Sequence, residues 1–214
     1  MGTMFIDQVS AVIREVGAAE VVPRFRSLAD GDVMEKGPGD LVTIADQECE
    51  RVLAERLRAI RDIPVVGEEG TAADPSLLDL VAEADATWII DPIDGTANFV
   101  AGNPNFVVMV ALAELGETVA AWVWHPETDS ILTAQRGNGV HRNGVAIIAP
   151  TREKSPTGIL KRTYMPEPAR TLLAAFPKSV GSLVPAFKSA GIEYGALIDG
   201  RIDFLMYWRT LPWD

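Results

Sequence analysis

Phe5, Val9, Val12, Ile13 and Val16 recur three and four residues apart, a single apolar stripe that predicts an amphipathic helix starting near residue 4 and extending toward residue 28. Pro23 is placed to kink or end it. The stretch GDVMEKGPGDLVT (31–43) is rich in glycine and turn residues, with short extended pieces. Helical spacing resumes from Ile44 to Ile60, where Val52, Leu53, Leu57 and Ile60 share a face. Thr43 is its expected N-cap, with Asp46 three residues on. Two short apolar runs, IPVVG (63–67) and WII (88–90), read as buried strands, each ending in acids. The intervening TAADPSLLDLVAEADA is polar and helix-prone in its second half.

From Asn105 to Val145 the pattern turns β-rich. FVVMVALAEL, TVAAWVW and SILTAQR are separated by the turn signals LGE, HPETD, GNG and RNG, which predicts an antiparallel sheet. A strand near Thr157–Lys161, helices near Glu167–Phe176 and Val184–Ile198, and a strand near Ile202–Tyr207 complete the pattern. Helices, then many strands, then alternation imply a layered α/β fold. The character changes near residue 150, so two lobes are expected, 1–150 and 151–214, with no linker between them.

Composition narrows the function. The 214 residues suffice for one large domain or two lobes sharing a core, and 48% are hydrophobic, as in globular proteins. The formal net charge is −11, which disfavours nucleic acid as the main partner. It leaves room for a small phosphorylated substrate if metal ions neutralise the acids locally. Cys49 is the single cysteine, so no intrachain disulfide forms. The N-terminus lacks a basic start followed by an apolar core, and no apolar run is long enough to span a membrane. The expectation is a soluble cytoplasmic protein.

Candidate chemistry gathers at the two strand ends. In WIIDPIDGTANF (88–99), Asp91 leaves a buried strand, Pro92 stiffens the turn, and Asp94 comes three residues after Asp91. Taken alone, this is explained by a turn in which Asp94 caps a helix beginning at Gly95. The alternative is a metal site. Carboxylates and the Ile93 carbonyl are hard oxygen donors of the kind Mg²⁺ prefers, and Gly95-Thr96 at a helix start offers free amides to an anion. Glu68 and Glu69 come after the other strand with the same logic. His125 and His141 have no Cys or His cluster beside them, and no GxSxG, GxxxxGK[ST] or GxGxxG element occurs.

GDLVTIAD (39–46), VGEEG (66–70), WIIDPIDGTANF (88–99) and PWD (212–214) together resemble the inositol monophosphatase family of Mg²⁺-dependent, lithium-sensitive phosphatases, in order and in spacing. GNGVHRNG (137–144) and KSAGIEYGALIDGRIDF (188–204) look similar to it as well. The resemblance implies a layered αβαβα sandwich, usually a homodimer, using two or three Mg²⁺ ions. By the same resemblance, Glu68, Asp91 and the Ile93 carbonyl hold one metal, and Asp91, Asp94 and Asp214 a second. Glu68 helps hold a third, weaker one. Gly95 and Thr96 receive the phosphate, while Glu68 and Thr96, with Asp46 behind Thr96, orient the attacking water. Asp94, Ser189 and Ala190 line the substrate side, and Lys36 aligns with a lysine near the site.

Two departures stand out. The family's chain continues for several dozen residues past its WD motif, so the sequence is expected to be a piece of a longer protein whose second lobe is incomplete here. Where animal inositol enzymes carry an acid seven residues before the WD aspartate, this chain has Tyr207, with Trp208 and Arg209 next. Facing the pocket, Tyr207 and Arg209 favour a different or additionally charged substrate. The expectation is therefore hydrolysis of inositol monophosphate or a related sugar or polyol phosphate. Fructose bisphosphatase, histidinol phosphatase and phosphoadenosine phosphate phosphatase activities stay open within the superfamily. So does a non-catalytic protein that binds metal and phosphate.

Overall fold

The computed structural model describes residues 2–37, 39–148, 155–174 and 181–214. Helix α1 (Thr3–Glu20) buries Val9, Val12, Ile13, Val16 and Gly17. It stops earlier than its stripe predicts, giving way to a short 3₁₀ turn over Val22–Arg24 with Pro23 at its start. Strands β1 (Val33–Gly37) and β2 (Asp40–Thr43) pair as a hairpin. Helix α2 (Ile44–Ile60) begins at the Thr43 cap, with the capping box complete through Asp46.

Next come β3 (Val65–Gly67), α3 (Glu68–Ala73) and α4 (Asp79–Glu83). Strand β4 (Ala86–Asp94) is longer than the apolar run announces, because it passes through Pro92 to the second acid. Helix α5 (Thr96–Val100) is next, then β5 (Val107–Glu114), β6 (Glu117–His125), β7 (Ser130–Gln135), β8 (Gly139–Arg142) and β9 (Val145–Ala146). Strands β3 to β9 form one sheet in sequence order; β3 and β4 are parallel and the remaining neighbours antiparallel.

One face of this sheet is closed by α1 and α2. Trp88, Trp122, Trp124, Val108 and Val110 pack there with Val9, Ile13, Leu53 and Leu57. Phe5 stacks on Trp88 at 6.0 Å, and the indole N–H groups of Trp88 and Trp122 donate to the Arg61 and Ile6 carbonyls at 3.2 Å each. Each fully buried large side chain of this kind contributes about 1.5–3 kcal/mol.

The later chain supplies β10 (Thr157–Lys161), α6 (Glu167–Leu173), β11 (Ser182–Leu183), α7 (Ala190–Ile198) and β12 (Phe204–Tyr207). Strands β11, β10 and β12 make a small, wholly parallel sheet. Its core is Ile159, Ala196 and Ile202, with Val184, Phe187, Leu197 and Leu205 against it. Helix α7 bridges the two sheets. A Cβ on Gly191 would lie 2.5 Å from Val107 and 2.7 Å from Met109, on the sheet face opposite α1 and α2, so only glycine permits this approach. The order of layers is thus helices, large sheet, helix, small sheet. Strand β11 had no signal strong enough to predict it, and α7 is shorter than its apolar run. The boundary expected at 150 and the helix end expected at Phe176 lie outside the described residues.

Candidate active site

The exits of β3 and β4 meet at one cavity of about 580 Å³, lined by Lys36, Glu68, Asp91, Ile93, Asp94, Gly95, Thr96 and Asp214 among others. Local chemistry explains how two acids three residues apart both reach it. In an unbroken strand, positions three apart face opposite ways. Here the β4–β5 register jumps, with Asp91 opposite Met109 and Asp94 opposite Val107, so β4 carries one extra residue. Pro92 has no N–H to give to the ladder and fits such a bulge. The bulge returns Asp94 to the side of Asp91.

Asp91 is buried, and its Oδ1 has no hydrogen-bond partner. Burial raises its pKa well above the carboxylate range, reinforced by the nearby Glu68, Asp94, Asp214 and Asp46 charges. Thr71 Oγ1, also buried without a partner, lines the same cavity. Asp94 does not cap α5, whose N-cap is Gly95 with φ of +98°. It accepts instead from Ser189 Oγ (2.7 Å), the Ala190 amide (3.0 Å) and the Gly191 amide (2.7 Å), at the start of α7. Ser189 and Ala190 are thereby buried against Asp94 rather than lining the cavity. Burial raises the Asp94 pKa against those bonds.

Glu68 and Glu69 open α3. Lys36 Nζ donates to Glu68 Oε1 at 2.7 Å and to Glu69 Oε1 at 3.0 Å. Burial works to lower the Lys36 pKa, but the two carboxylates overcome it and the net shift is upward. At Glu68 the balance goes the other way, burial outweighing Lys36 and raising the carboxyl pKa. Behind them stands Glu50, which the sequence pattern did not single out. Its carboxylate accepts from the Glu69 amide (2.8 Å) and the Gly70 amide (2.7 Å), fixing the turn that carries Glu68.

Thr96 Oγ1 lies 3.2 Å from Asp46 Oδ1 and 3.1 Å from the Ile93 carbonyl, two acceptors for its one proton. The other oxygen of Asp46 is held by the Thr43 amide and hydroxyl. Burial pushes the Asp46 pKa up to about 6. Asn98, inside the WIIDPIDGTANF motif but given no role by it, donates to the Asn105 and Phe187 carbonyls at 2.7 and 2.8 Å and ties α5 to the chain entering α7. Asp214 is exposed, with its Oδ2 accepting from the Leu211 amide at 2.6 Å.

The donor set is chemically suited to a hard cation: carboxylates, one carbonyl, and a buried carboxylate oxygen without a partner. Among the described residues, no three His, Cys, Asp or Glu side chains stand close enough together to form a ready cage. Lys36, the α7 amides and the Leu211 amide each take one of the acids. A slightly larger cleft of about 640 Å³ lies between α1 and strands β7 and β8, and holds His141 and Arg14 but none of these buried acids.

The sequence profile of the inositol monophosphatase family matches residues 6–214. An inositol-1-monophosphatase of Rhizobium meliloti (strain 1021) is 41% identical over 109 residues, covering 50% of this chain and 39% of that protein. Nus factor SuhB of Vibrio cholerae serotype O1 is 30% identical over 188 residues, covering 84% of this chain and 67% of that protein. Among solved structures, the Thermotoga maritima IMPase superposes with a TM-score of 0.75 at 28% identity, over 97% of this chain and 78% of that one. The matching stretch thus spans well under half of the first relative and about two thirds of the second. With its profile matched over nearly the whole sequence and its layers superposing on a solved relative, this chain belongs to the inositol monophosphatase family.

Proposed function

We propose that the protein hydrolyses a phosphate monoester with Mg²⁺, inositol monophosphate or a related sugar or polyol phosphate being the best-fitting substrate. The observation that carries this is the bare, buried Asp91 Oδ1 in the same cavity as Glu68, Ile93, Asp94, Thr96 and Asp214. Glu68, Asp91, the Ile93 carbonyl, Asp94 and Asp214 would hold two or three ions between them. When bound, Mg²⁺ supplies charge neutralisation and water activation.

The chain's own residues supply positioning. The Gly95 and Thr96 amides, at a helix start, face the phosphate oxygens. The Thr96 hydroxyl, donating to Asp46, keeps a lone pair to receive a proton from an attacking water, and Glu68 aligns that water from the α3 side. Asp46 keeps the Thr96 hydroxyl in this orientation through its own fixed bonds to Thr43. In-line attack on a phosphate needs mainly this placement and electrostatics. The N-terminal lobe, 1–150, would carry most of the metal ligands and the lobe over 151–214 the substrate wall and Asp214. A cytoplasmic homodimer belongs to the same reading. Fructose bisphosphatase, histidinol phosphatase and phosphoadenosine phosphate phosphatase activities are its variants.

The test is phosphate release from a panel of phosphomonoesters with Mg²⁺, with and without Li⁺. Metal-dependent, lithium-inhibited release is expected; no release from any ester overturns the reading. The match to a protein named Nus factor SuhB favours one second reading, a binding protein that keeps the metal and phosphate site for assembly with a partner. That reading predicts Mg²⁺ and phosphate binding without turnover. No helix among the described residues is long and apolar enough to cross a membrane.

A further inference from the structure

The small sheet contributes to the cavity in a way the acids do not explain. Strands β10 and β12 are parallel, with Lys161 opposite Tyr207 at their C-terminal ends. Thr163, Tyr164, Trp208 and Arg209 lie just beyond those ends, and with Lys161 and Tyr207 they all line the cavity that holds Asp91 and Glu68. The C-terminal edge of a parallel sheet is where such folds receive ligands. The cavity therefore has two sheet edges: one acidic, from β3 and β4, and one cationic and aromatic, from β10 and β12.

Both cations on the second edge are held in place without being neutralised. Lys161 Nζ sits 5.4 Å from the centre of the Tyr207 ring, and Arg209 Cζ sits 5.0 Å from that of Tyr164. The Tyr207 ring is itself fixed, because its hydroxyl donates to Glu193, a fully buried acid that also accepts from the Phe187 amide at 2.8 Å. Among the described residues neither Lys161 nor Arg209 has a carboxylate partner, whereas the third cation of the cavity, Lys36, is taken by Glu68 and Glu69. In a chain of net charge −11, two unpaired cations at one cavity edge stand out as the complement of an anion.

We propose that Lys161 and Arg209 form a second anion subsite, so that the preferred substrate is a phosphate monoester carrying a further anionic group, a second phosphate or a carboxylate. This rests on the phosphatase reading above, in which the acidic edge takes the scissile phosphate. The second anion lies toward β10 and β12, between cations seated on Tyr207 and Tyr164. Arg209 favours a forked contact with two oxygens, and Lys161 a single point charge.

The experiment compares glycerol 2-phosphate, phosphoglycerate and a hexose bisphosphate on the wild-type chain and on Lys161→Gln, Arg209→Gln and Lys161→Arg, at low and moderate salt. The expected result is a kcat/KM preference for the two esters that carry a second anionic group. In each Gln variant that preference falls about tenfold, through KM, and Lys161→Arg largely restores it. Phosphoglycerate against bisphosphate separates carboxylate from phosphate as the second group. Equal effects on all three esters, or no preference in the wild type, overturn the subsite. If no ester is hydrolysed, calorimetric binding of the same ligands with Mg²⁺ decides. Tighter binding of the bisphosphate, weakened in the Gln variants, upholds the subsite while the hydrolase reading falls; equal affinities overturn it. Matching unfolding midpoints for the variants show that folding is not the cause.

Discussion

Ser189 donates its hydroxyl to Asp94 Oδ2 at 2.7 Å, joining residues 95 positions apart and pinning the helix that bridges the two sheets to the exit of β4. Asp94 is therefore structural as well as chemical. Replacing it by Ala leaves the Ala190 and Gly191 amides and the Ser189 hydroxyl buried without an acceptor. Asp94→Ala is expected to lose about 3 kcal/mol and Ser189→Ala about 1 kcal/mol, read as lower midpoints in urea unfolding. An unchanged midpoint in Asp94→Ala would show that α7 docks without this contact.

Asp91 behaves in the opposite way. Its Oδ1 is buried with nothing to bond, so the charge destabilises the metal-free chain. Asp91→Asn is expected to abolish Mg²⁺-stimulated phosphate release, by at least about a hundredfold, while the melting temperature without metal stays level or rises. Wild-type release from this variant removes Asp91 from the site.

The buried acids also set a pH dependence. Burial lifts the Asp46 carboxyl from an ordinary 3.8 to about 6, and that of Glu69 from 4.5 to about 6. The folded chain then binds more protons than the unfolded chain between about pH 4 and 6, so stability is greatest below that window and falls as pH rises through it. In chelator, the melting temperature at pH 5 is expected to exceed that at pH 7.5, the Asp46 share between these two values being about 1.4 kcal/mol. Added Mg²⁺ should raise the melting temperature more at pH 7.5 than at pH 5. A flat profile in chelator would contradict the burial of these groups.

Lys36 competes with any cation for Glu68. Lys36→Met removes the competitor and leaves two half-buried carboxylates unpaired. The variant is expected to melt lower without metal and to reach half-maximal Mg²⁺ stabilisation at a concentration several-fold below wild type. A higher Mg²⁺ requirement would mean that Lys36 organises Glu68 rather than occupying it.

Much of the fold was legible because its signals are local. The Thr43–Asp46 capping box sets the start of α2 at the residue the pattern predicts, and β10 runs over Thr157–Lys161 as expected. What the sequence hid were choices of partner. DPID reads as a turn because Asp-Pro and Asp-Gly dipeptides favour turns, yet burial on both faces carries β4 through Pro92 and a bulge absorbs the missing N–H. Asp94 looked like a cap for the helix immediately after it, but a helix arriving from residue 190 offers three donors instead of one. Glu50 resembled any acid on a helix until α3 was seen to end its amides there; its position four residues after Asp46, on the buried face of α2, was the available clue. Strand β11 has two residues, too short for a period to register.

That spacing of Asp46 and Glu50 has a consequence for how the site keeps its dimensions. One helix reaches the Thr96 hydroxyl through Asp46 and the turn bearing Glu68 through Glu50. Four residues of α-helix rise about 6 Å, a length set by the helix's own backbone hydrogen bonds. Helix α2 is in effect a gauge block between the two strand exits, and the gap between them is machined into a rigid part.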